Sequence, residues 1–158
     1  GKRVVIPAGQ YAWARGAFEG NTNQSAPVSA SLFHRIGTFY NGDYHGWQLT
    51  VGLRPSTRIQ SEIGWNRDDI TLPGGRFRND LVPVKVSYAF TSLASVQGLL
   101  QYNKQASTFS SNIRLALLDR SGTGFFLVYN DRRDTSPFTA DELLGRSFVV
   151  KYTRLFDF

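Results

Sequence analysis

The sequence predicts an all-β protein: an antiparallel up-and-down transmembrane β-barrel with about 8–10 strands in this chain, or the C-terminal part of a larger barrel. Polar and apolar residues alternate along most of the chain, which is the period of strands with one apolar face. No apolar run approaches the roughly 20 residues that a membrane helix needs. The final segment, 146–158, alternates and finishes on the aromatic residue Phe158, as outer-membrane barrels usually finish.

Length and composition set the bounds of this prediction. A chain of 158 residues forms one domain, so we expect residues 1–158 to be a single barrel domain or barrel segment. Without cysteine it has no disulfide, thiolate metal site or cysteine nucleophile. It has neither methionine nor a secretory signal, so we expect a processed chain or a portion of a longer protein. The 18 basic and 12 acidic residues are scattered, which argues against a nucleic-acid partner.

The clearest strand is predicted at 45–55, where Trp47, Leu49, Val51 and Leu53 alternate with polar residues and glycine. The next begins at Ile59, after a tight connection at 55–57. Asn41-Gly42 is a strong turn signal before them. The full prediction is about nine strands of roughly ten residues, the length of a tilted membrane strand. They lie near 11–21, 29–40, 45–55, 59–66, 80–90, 94–103, 112–119, 125–131 and 146–158, with 2–7 as an additional short strand or a lead-in.

The lengths of the connections between the strands also predict a membrane barrel. The turns at 55–57, 91–93 and 120–123 are short, whereas the links at 68–79, 104–111 and 132–145 are longer. Barrels of the outer membrane alternate short periplasmic turns with longer external loops. The alternation therefore favours a membrane barrel over a soluble β-fold.

The two faces of the strands predict which residues meet lipid. An Arg or Lys facing lipid at mid-membrane costs roughly 2–4 kcal/mol, so the polar faces are expected to turn inward. There they would form an ion-paired plug in a narrow barrel or line water in a wider one. The predicted lumen-facing polar residues are Arg54, Arg58, Gln60, Glu62, Lys85, Gln97, Gln101, Arg114 and Lys151. The predicted lipid-facing and girdle residues are Trp47, Leu49, Val51, Leu53, Ile63, Trp65, Tyr88 and Tyr102.

The last strand carries a predicted barrel-assembly signal made of Tyr152, Phe156 and Phe158. Arg154 shares their parity, which would turn a charge toward lipid. Either this side chain extends to the interface, or a bulge shifts the register of the strand.

Few residues of the chain could form a catalytic or metal-binding site. His34, His45 and Asp43 lie around one turn and are a conceivable metal or acid–base cluster, but two histidines of uncertain facing are a weak pattern. The chain lacks the G-x-S-x-G motif of serine hydrolases. We predict no catalytic residues, no metal site, no cofactor and no enzymatic activity. The acidic residues Asp131, Asp134, Asp141 and Glu142 are an alternative site for a divalent cation or lipopolysaccharide phosphates, although a solvated loop is the simpler interpretation.

Five stretches of the chain resemble a known family: RIGTFYNGDYHGWQLTVGLRPS, ITLPGGRFRNDL, LLQYNKQ, NIRLALLDRSGTGFFLVYNDRRD and RSFVVKYTRLFDF. They are similar to the C-terminal region of large Gram-negative outer-membrane proteins with an N-terminal carbohydrate-binding-module family-9-like domain and a barrel domain of unknown function. The chain differs from that pattern at LALLDRSG, where the family usually has Trp or Tyr. The resemblance implies a fold and a compartment, and no catalytic residues.

The predicted function is an outer-membrane barrel, or its C-terminal segment, that acts as anchor, pore or assembly component without catalysis. Its localisation would be the bacterial outer membrane. Its partners would be outer-membrane lipid or lipopolysaccharide, the barrel-assembly machinery and, in a larger complex, other protein chains. The alternative is a soluble β-barrel or sandwich that binds an apolar ligand or a partner. A minor alternative is a small lipid-modifying enzyme of the outer membrane.

Overall fold

The computed structural model describes residues 6, 8–119, 123–137 and 142–154. These residues contain nine strands and no helix. The predicted all-β class is therefore confirmed, as is the number of strands predicted between residues 11 and 158. The region 2–7, predicted as an additional strand or a lead-in, lies outside the described residues except for Ile6. The strands are β1 (Arg15–Asn21), β2 (Val28–Phe39), β3 (Gly42–Leu53), β4 (Ile59–Leu72), β5 (Gly75–Ala89), β6 (Ala94–Asn103), β7 (Thr108–Leu118), β8 (Gly124–Asp134) and β9 (Glu142–Thr153).

All nine strands form one antiparallel sheet in the order β1-β2-β3-β4-β5-β6-β7-β8-β9. Each strand pairs with the strand that precedes it and the strand that follows it in the chain, so the up-and-down topology is confirmed. The edge strands β1 and β9 are not paired with each other, and the sheet is open. Because there is one sheet and no second layer among the described residues, the structure is not a sandwich.

The connections differ from the prediction. Strands β4 and β5 continue through most of 68–79 and leave only residues 73–74 between them. In the same way, β7 begins at Thr108, and β8 extends to Asp134. The predicted alternation of short turns and long loops is wrong, because charged or polar ends of strands were interpreted as loops. We call the sheet end that carries the connections 22–27, 54–58, 90–93 and 119–123 the Pro55 end, and the opposite end the Pro73 end.

The turn between β2 and β3 also differs from its sequence signal. Its two residues are Tyr40 and Asn41, and Tyr40 has a φ of 54°. Gly42 already belongs to β3. A Cβ atom at Gly42 would collide with the carbonyl oxygen of Thr71 on β4. Glycine is therefore needed here for close approach between strands, and not for the turn conformation.

The sheet has almost no buried core of its own. Tyr44 and Leu72 are the only buried large apolar side chains among the described residues. Every residue of β9 is exposed, on both faces of the strand, and so is every residue of β1 except Gly20. A single layer covers neither of its faces, so this sheet needs other groups to shield its apolar surface.

Candidate membrane-facing surface

One face of the sheet is apolar across its whole width. Residues directly opposite each other in an antiparallel pair point to the same side. The pairs Leu49 and Trp65, and Val51 and Ile63, carry this face from β3 to β4. Further pairs extend it to β9. Its members include Phe18, Leu32, Trp47, Leu49, Val51, Leu53, Ile63, Trp65, Val84, Tyr88, Leu100, Tyr102, Ile113, Leu115, Leu127, Phe148, Val150 and Tyr152.

We call this surface the apolar face, and most exposed large apolar side chains of the strands lie on it. Phe18 near one edge and Phe148 at the other are each 64% exposed. Contiguous apolar surface of this extent is rare on a monomeric soluble protein. All eight residues predicted as lipid-facing lie on this face.

Aromatic side chains mark both margins of the apolar face. Toward the Pro55 end, the rings of Tyr88 and Phe90 meet edge to face, with centroids 4.8 Å apart. Aromatic residues enriched at two levels are typical of proteins that cross a membrane. The remaining Pro55-end rings are Phe125 and Tyr152, and those toward the Pro73 end are Phe18, Trp47, Trp65, Tyr102, Phe109, Tyr129 and Phe148.

Charged residues continue the same face beyond the aromatic residues at the Pro73 end. On β4, Arg67 and Asp69 follow Trp65 at the same parity, and their partners on β5 are Asp80 and Arg78. A second group lies on β8 and β9. We call the eight residues the arginine–aspartate band: Arg67, Asp69, Arg76, Arg78, Asp80, Asp131, Arg133 and Arg146.

Asp69 holds two arginines at once. Its carboxylate accepts hydrogen bonds from Arg76, with Nε at 2.6 Å, and from Arg78, with Nη2 at 3.1 Å. The hydrogen bond from Arg76, assisted by Arg78 and opposed by partial burial, lowers the pKa of Asp69 to about 2. The Asp69 side chain is 11% exposed, whereas those of Arg76 and Arg78 are 59% and 46% exposed. The carboxylate is thus covered by guanidinium groups that face outward.

Asp131 repeats this arrangement on β8. Arg133 Nε donates to its Oδ1 at 2.8 Å, and Arg146 Nε donates to its Oδ2 at 3.0 Å. Tyr129 adds a hydroxyl donor at 3.1 Å. The alternative of a cation site at the acidic residues is not supported here, because Asp131 is already neutralised and Asp134 Oδ1 accepts the backbone N–H of Ser136. Glu142 is exposed, and Asp141 lies outside the described residues.

The opposite side of the sheet, which we call the polar face, carries the predicted lumen-facing residues. Gln60, Glu62, Lys85, Gln97, Gln101, Arg114 and Lys151 share it. Arg54 and Arg58 lie in the connection 54–58 at the Pro55 end. Among these nine residues the structure pairs Lys85 with Glu62, at 3.8 Å and with both side chains half exposed. This geometry is not that of a packed, ion-paired plug.

A ladder of uncharged polar side chains crosses the polar face toward β9. Asn112 donates to Asn130, and Asn130 Nδ2 donates to Ser147 Oγ at 3.0 Å, so a hydrogen-bonded ladder crosses three strands. An open groove of about 500 Å³ runs beside this ladder and is also lined by Gln101 and Ser110. Such a surface favours contact with water.

The most enclosed group of the polar face surrounds Tyr44. Its hydroxyl donates to Asp68 Oδ1 at 2.6 Å, and the guanidinium groups of Arg15 and Arg35 lie 5.1 and 5.8 Å from its ring centroid. The ring passes over Gly46, where a Cβ atom would collide with the hydroxyl oxygen. The parity of Tyr44 in β3 directs its side chain to the opposite face from Trp47.

The two histidines lie close together, as the hairpin predicted. Their rings are stacked with centroids 6.1 Å apart, and His34 also stacks on Trp47 at 3.7 Å. Within the described part of the chain, no group of three or more His, Cys, Asp or Glu residues could hold a metal ion. The pair is part of the aromatic surface at the Pro73 end.

The predicted assembly signal is described only in part. Tyr152 lies on the apolar face, whereas Phe156 and Phe158 fall outside the described residues. Among the described residues, β9 ends at Thr153 and Arg154 follows it, and the pairing of β8 with β9 shows no register shift on this side as far as Thr153. The register shift of β9 lies at the Pro73 end, at Arg132 and Arg133. This shift changes the face of the sheet toward which the residues of β9 before Gly145 point.

Sequence reasoning missed the arginine–aspartate band. Its signal was present in the alternation of Arg76, Arg78 and Asp80, which share the parity of Val82 and Val84. Arg76 and Arg78 were assigned to a loop because a strand was expected to end where its apolar side chains ended.

Comparison with known proteins adds no relative: no family model, curated protein or solved structure matches the chain. The resemblance stated from the sequence therefore stays a prediction. In the part of the chain that the structure describes, no helix has the length and apolar character required to cross a membrane.

Proposed function

We propose that this chain forms part of the wall of a transmembrane β-barrel in a bacterial outer membrane. The apolar face would meet lipid, and the polar face would line an aqueous interior. The chain would thus serve as the wall of a porin-like channel without chemistry of its own. The resemblance to C-terminal regions of large outer-membrane proteins agrees with this compartment.

The observation that carries the proposal is the apolar face, which continues from β1 to β9 without any covering layer. Membrane lipid is a solvent in which such a face is stable once the outer edges of β1 and β9 are also paired, because the strands between them already pair with a neighbour on each side. Aromatic residues at both margins match the two interfaces of a bilayer. A soluble sheet would instead need a second layer to cover these side chains.

The polar face supports a water-filled interior. The ladder from Asn112 to Ser147 and the exposed Lys85–Glu62 pair are groups that hydrogen-bond well to water. In a narrow barrel, these side chains would have to pack against those of the opposite wall. The open sheet and its weakly paired polar residues favour a barrel that is wider than nine strands.

The test is the behaviour of the full chain in detergent. We expect the protein to be insoluble without detergent, to fold in non-ionic micelles, and to migrate faster on a gel before heating than after it. A monodisperse monomer in detergent-free buffer would contradict the proposal and would favour the soluble alternative, with an apolar ligand or partner over the apolar face.

A further inference from the structure

We propose that the arginine–aspartate band binds the phosphate groups of an anionic membrane lipid. The inference rests on the proposed function, because it requires the apolar face to meet lipid. It adds a specific ligand chemistry and the residues that recognise it. The central group is Asp69 with Arg76 and Arg78.

The hydrogen-bond geometry leaves donors for a ligand. A guanidinium has five N–H donors. Arg76 and Arg78 each use Nε and Nη2 on the single carboxylate of Asp69. The remaining N–H groups belong to side chains that are about half exposed, while Asp69 is largely covered. Asp69 therefore holds two arginines in fixed positions with donors directed outward.

The charge of the band favours an anion. It contains five arginines and three aspartates, a formal excess of two positive charges. Arginine binds phosphate through two parallel N–H donors, which gives both strength and orientation. A divalent cation would be repelled by the same excess.

The position of the band favours a lipid as the source of the phosphate. Arg67 lies next to Trp65 along the apolar face and stacks over its ring at 4.7 Å. The charged band thus begins where the aromatic margin ends. A lipid whose acyl chains lie along the apolar face would bring its headgroup to this level.

The band offers two separate positions for phosphate. One lies on β4 and β5 around Asp69, and the other on β8 and β9 around Asp131. Strands β5 and β8 are three strand spacings apart, or about 14 Å. A lipid with more than one phosphate, or two neighbouring lipids, could use both positions.

The experiment uses the full chain folded in non-ionic micelles and titrated with diphosphoryl lipid A. The fluorescence of Trp47 and Trp65, which border the band, reports binding. We expect the double variant R76Q/R78Q to bind about tenfold more weakly, because two charge-assisted donors are lost. The charge-matched control R58Q/K151Q, altered toward the Pro55 end, should change affinity less than about twofold.

A second variant separates ligand binding from structure. D69N keeps both arginines and leaves an amide oxygen that can still accept a guanidinium hydrogen bond, while one negative charge is lost, so lipid binding should be retained or strengthened. If the arginines only stabilise the strands, D69N would weaken binding as much as R76Q/R78Q does. Should R76Q/R78Q fail to fold because Asp69 is left unpaired, the triple variant D69N/R76Q/R78Q removes that charge and should still bind about tenfold more weakly.

The outcomes distinguish this inference from the proposed function. A chain that does not fold in any micelle contradicts both. A chain that folds in micelles but binds dephosphorylated lipid A as well as the diphosphoryl form overturns the phosphate site alone. Competition by inorganic phosphate at the concentrations at which lipid A binds would point to free phosphate, and would overturn the lipid assignment.

Discussion

At the scale of single residues, a glycine on the polar face allows a neighbouring side chain to pack directly against the backbone. Tyr44 lies over Gly46, and this position allows its hydroxyl to reach Asp68 on the next strand. Arg15 and Arg35 then pack on the ring. One residue without a side chain thus permits a contact that links β1, β2, β3 and β4.

We predict that Gly46→Ala destabilises the folded protein by about 1–3 kcal/mol, because the added methyl group displaces the Tyr44 ring. The matched control is Gly98→Ala on β6, where a Cβ atom would have nothing within 4 Å. Urea unfolding in non-ionic micelles measures both. Equal stability of the two variants would show that the position of Tyr44 contributes nothing.

At the scale of the strand, alternation alone decides which residues belong to which surface. In β3, Trp47, Leu49 and Val51 lie on the apolar face, while Gln48 and Thr50 lie on the polar face. Neighbouring residues in one strand therefore meet different surroundings. This gives a test with nearly identical substitutions.

Leu49→Arg is expected to destabilise the membrane-inserted protein by about 2–4 kcal/mol, since it would turn a charge toward lipid near mid-membrane. Gln48→Arg, one residue earlier and on the opposite face, should cost much less. Folding yield in phosphatidylcholine vesicles, followed by the heat-dependent gel shift, compares them. Equal loss from both variants would be inconsistent with lipid on the apolar face.

Alternation also explains how far the sequence could predict the structure. Regular strands such as β6 were predicted with their bounds, Ala94 and Asn103, because apolar and polar residues alternate cleanly there. The outer halves of β4 and β5 were missed, since Asp69, Arg76 and Arg78 interrupt the apolar pattern although the backbone pairing continues. The hydrogen bonds around Asp69 and Asp131 depend on cross-strand register, which could not be obtained from one strand at a time.

At the scale of the whole molecule, the two edges have the same direction. Because every neighbouring pair is antiparallel, β1 and β9 run parallel to each other. Direct closure would therefore create a parallel pair in an otherwise antiparallel barrel. Bacterial single-chain barrels have even strand numbers, which favours an odd number of further strands between these edges.

An engineered disulfide tests how the edges are completed. Ala17→Cys on β1 and Val149→Cys on β9 both face the polar side, and the chain has no other cysteine. We expect no disulfide between them in micelles, because the two edges are not paired with each other and the cysteines would lie more than about 7 Å apart. The control pair Val128→Cys and Val149→Cys lies directly opposite across β8 and β9 and should oxidise readily. Rapid oxidation of the first pair would mean that the nine strands close by themselves.

The strictly sequential pairing of the strands has a kinetic consequence. Each strand contacts mainly the strands adjacent to it in the chain, so the sheet contains few contacts between strands that are not consecutive. Low contact order favours fast formation of structure, because the closure of each hairpin loses little chain entropy before its stabilising contacts form. The sheet can therefore grow one hairpin at a time from any starting pair, whereas closure of the proposed barrel would have to join its two edges through a long-range encounter.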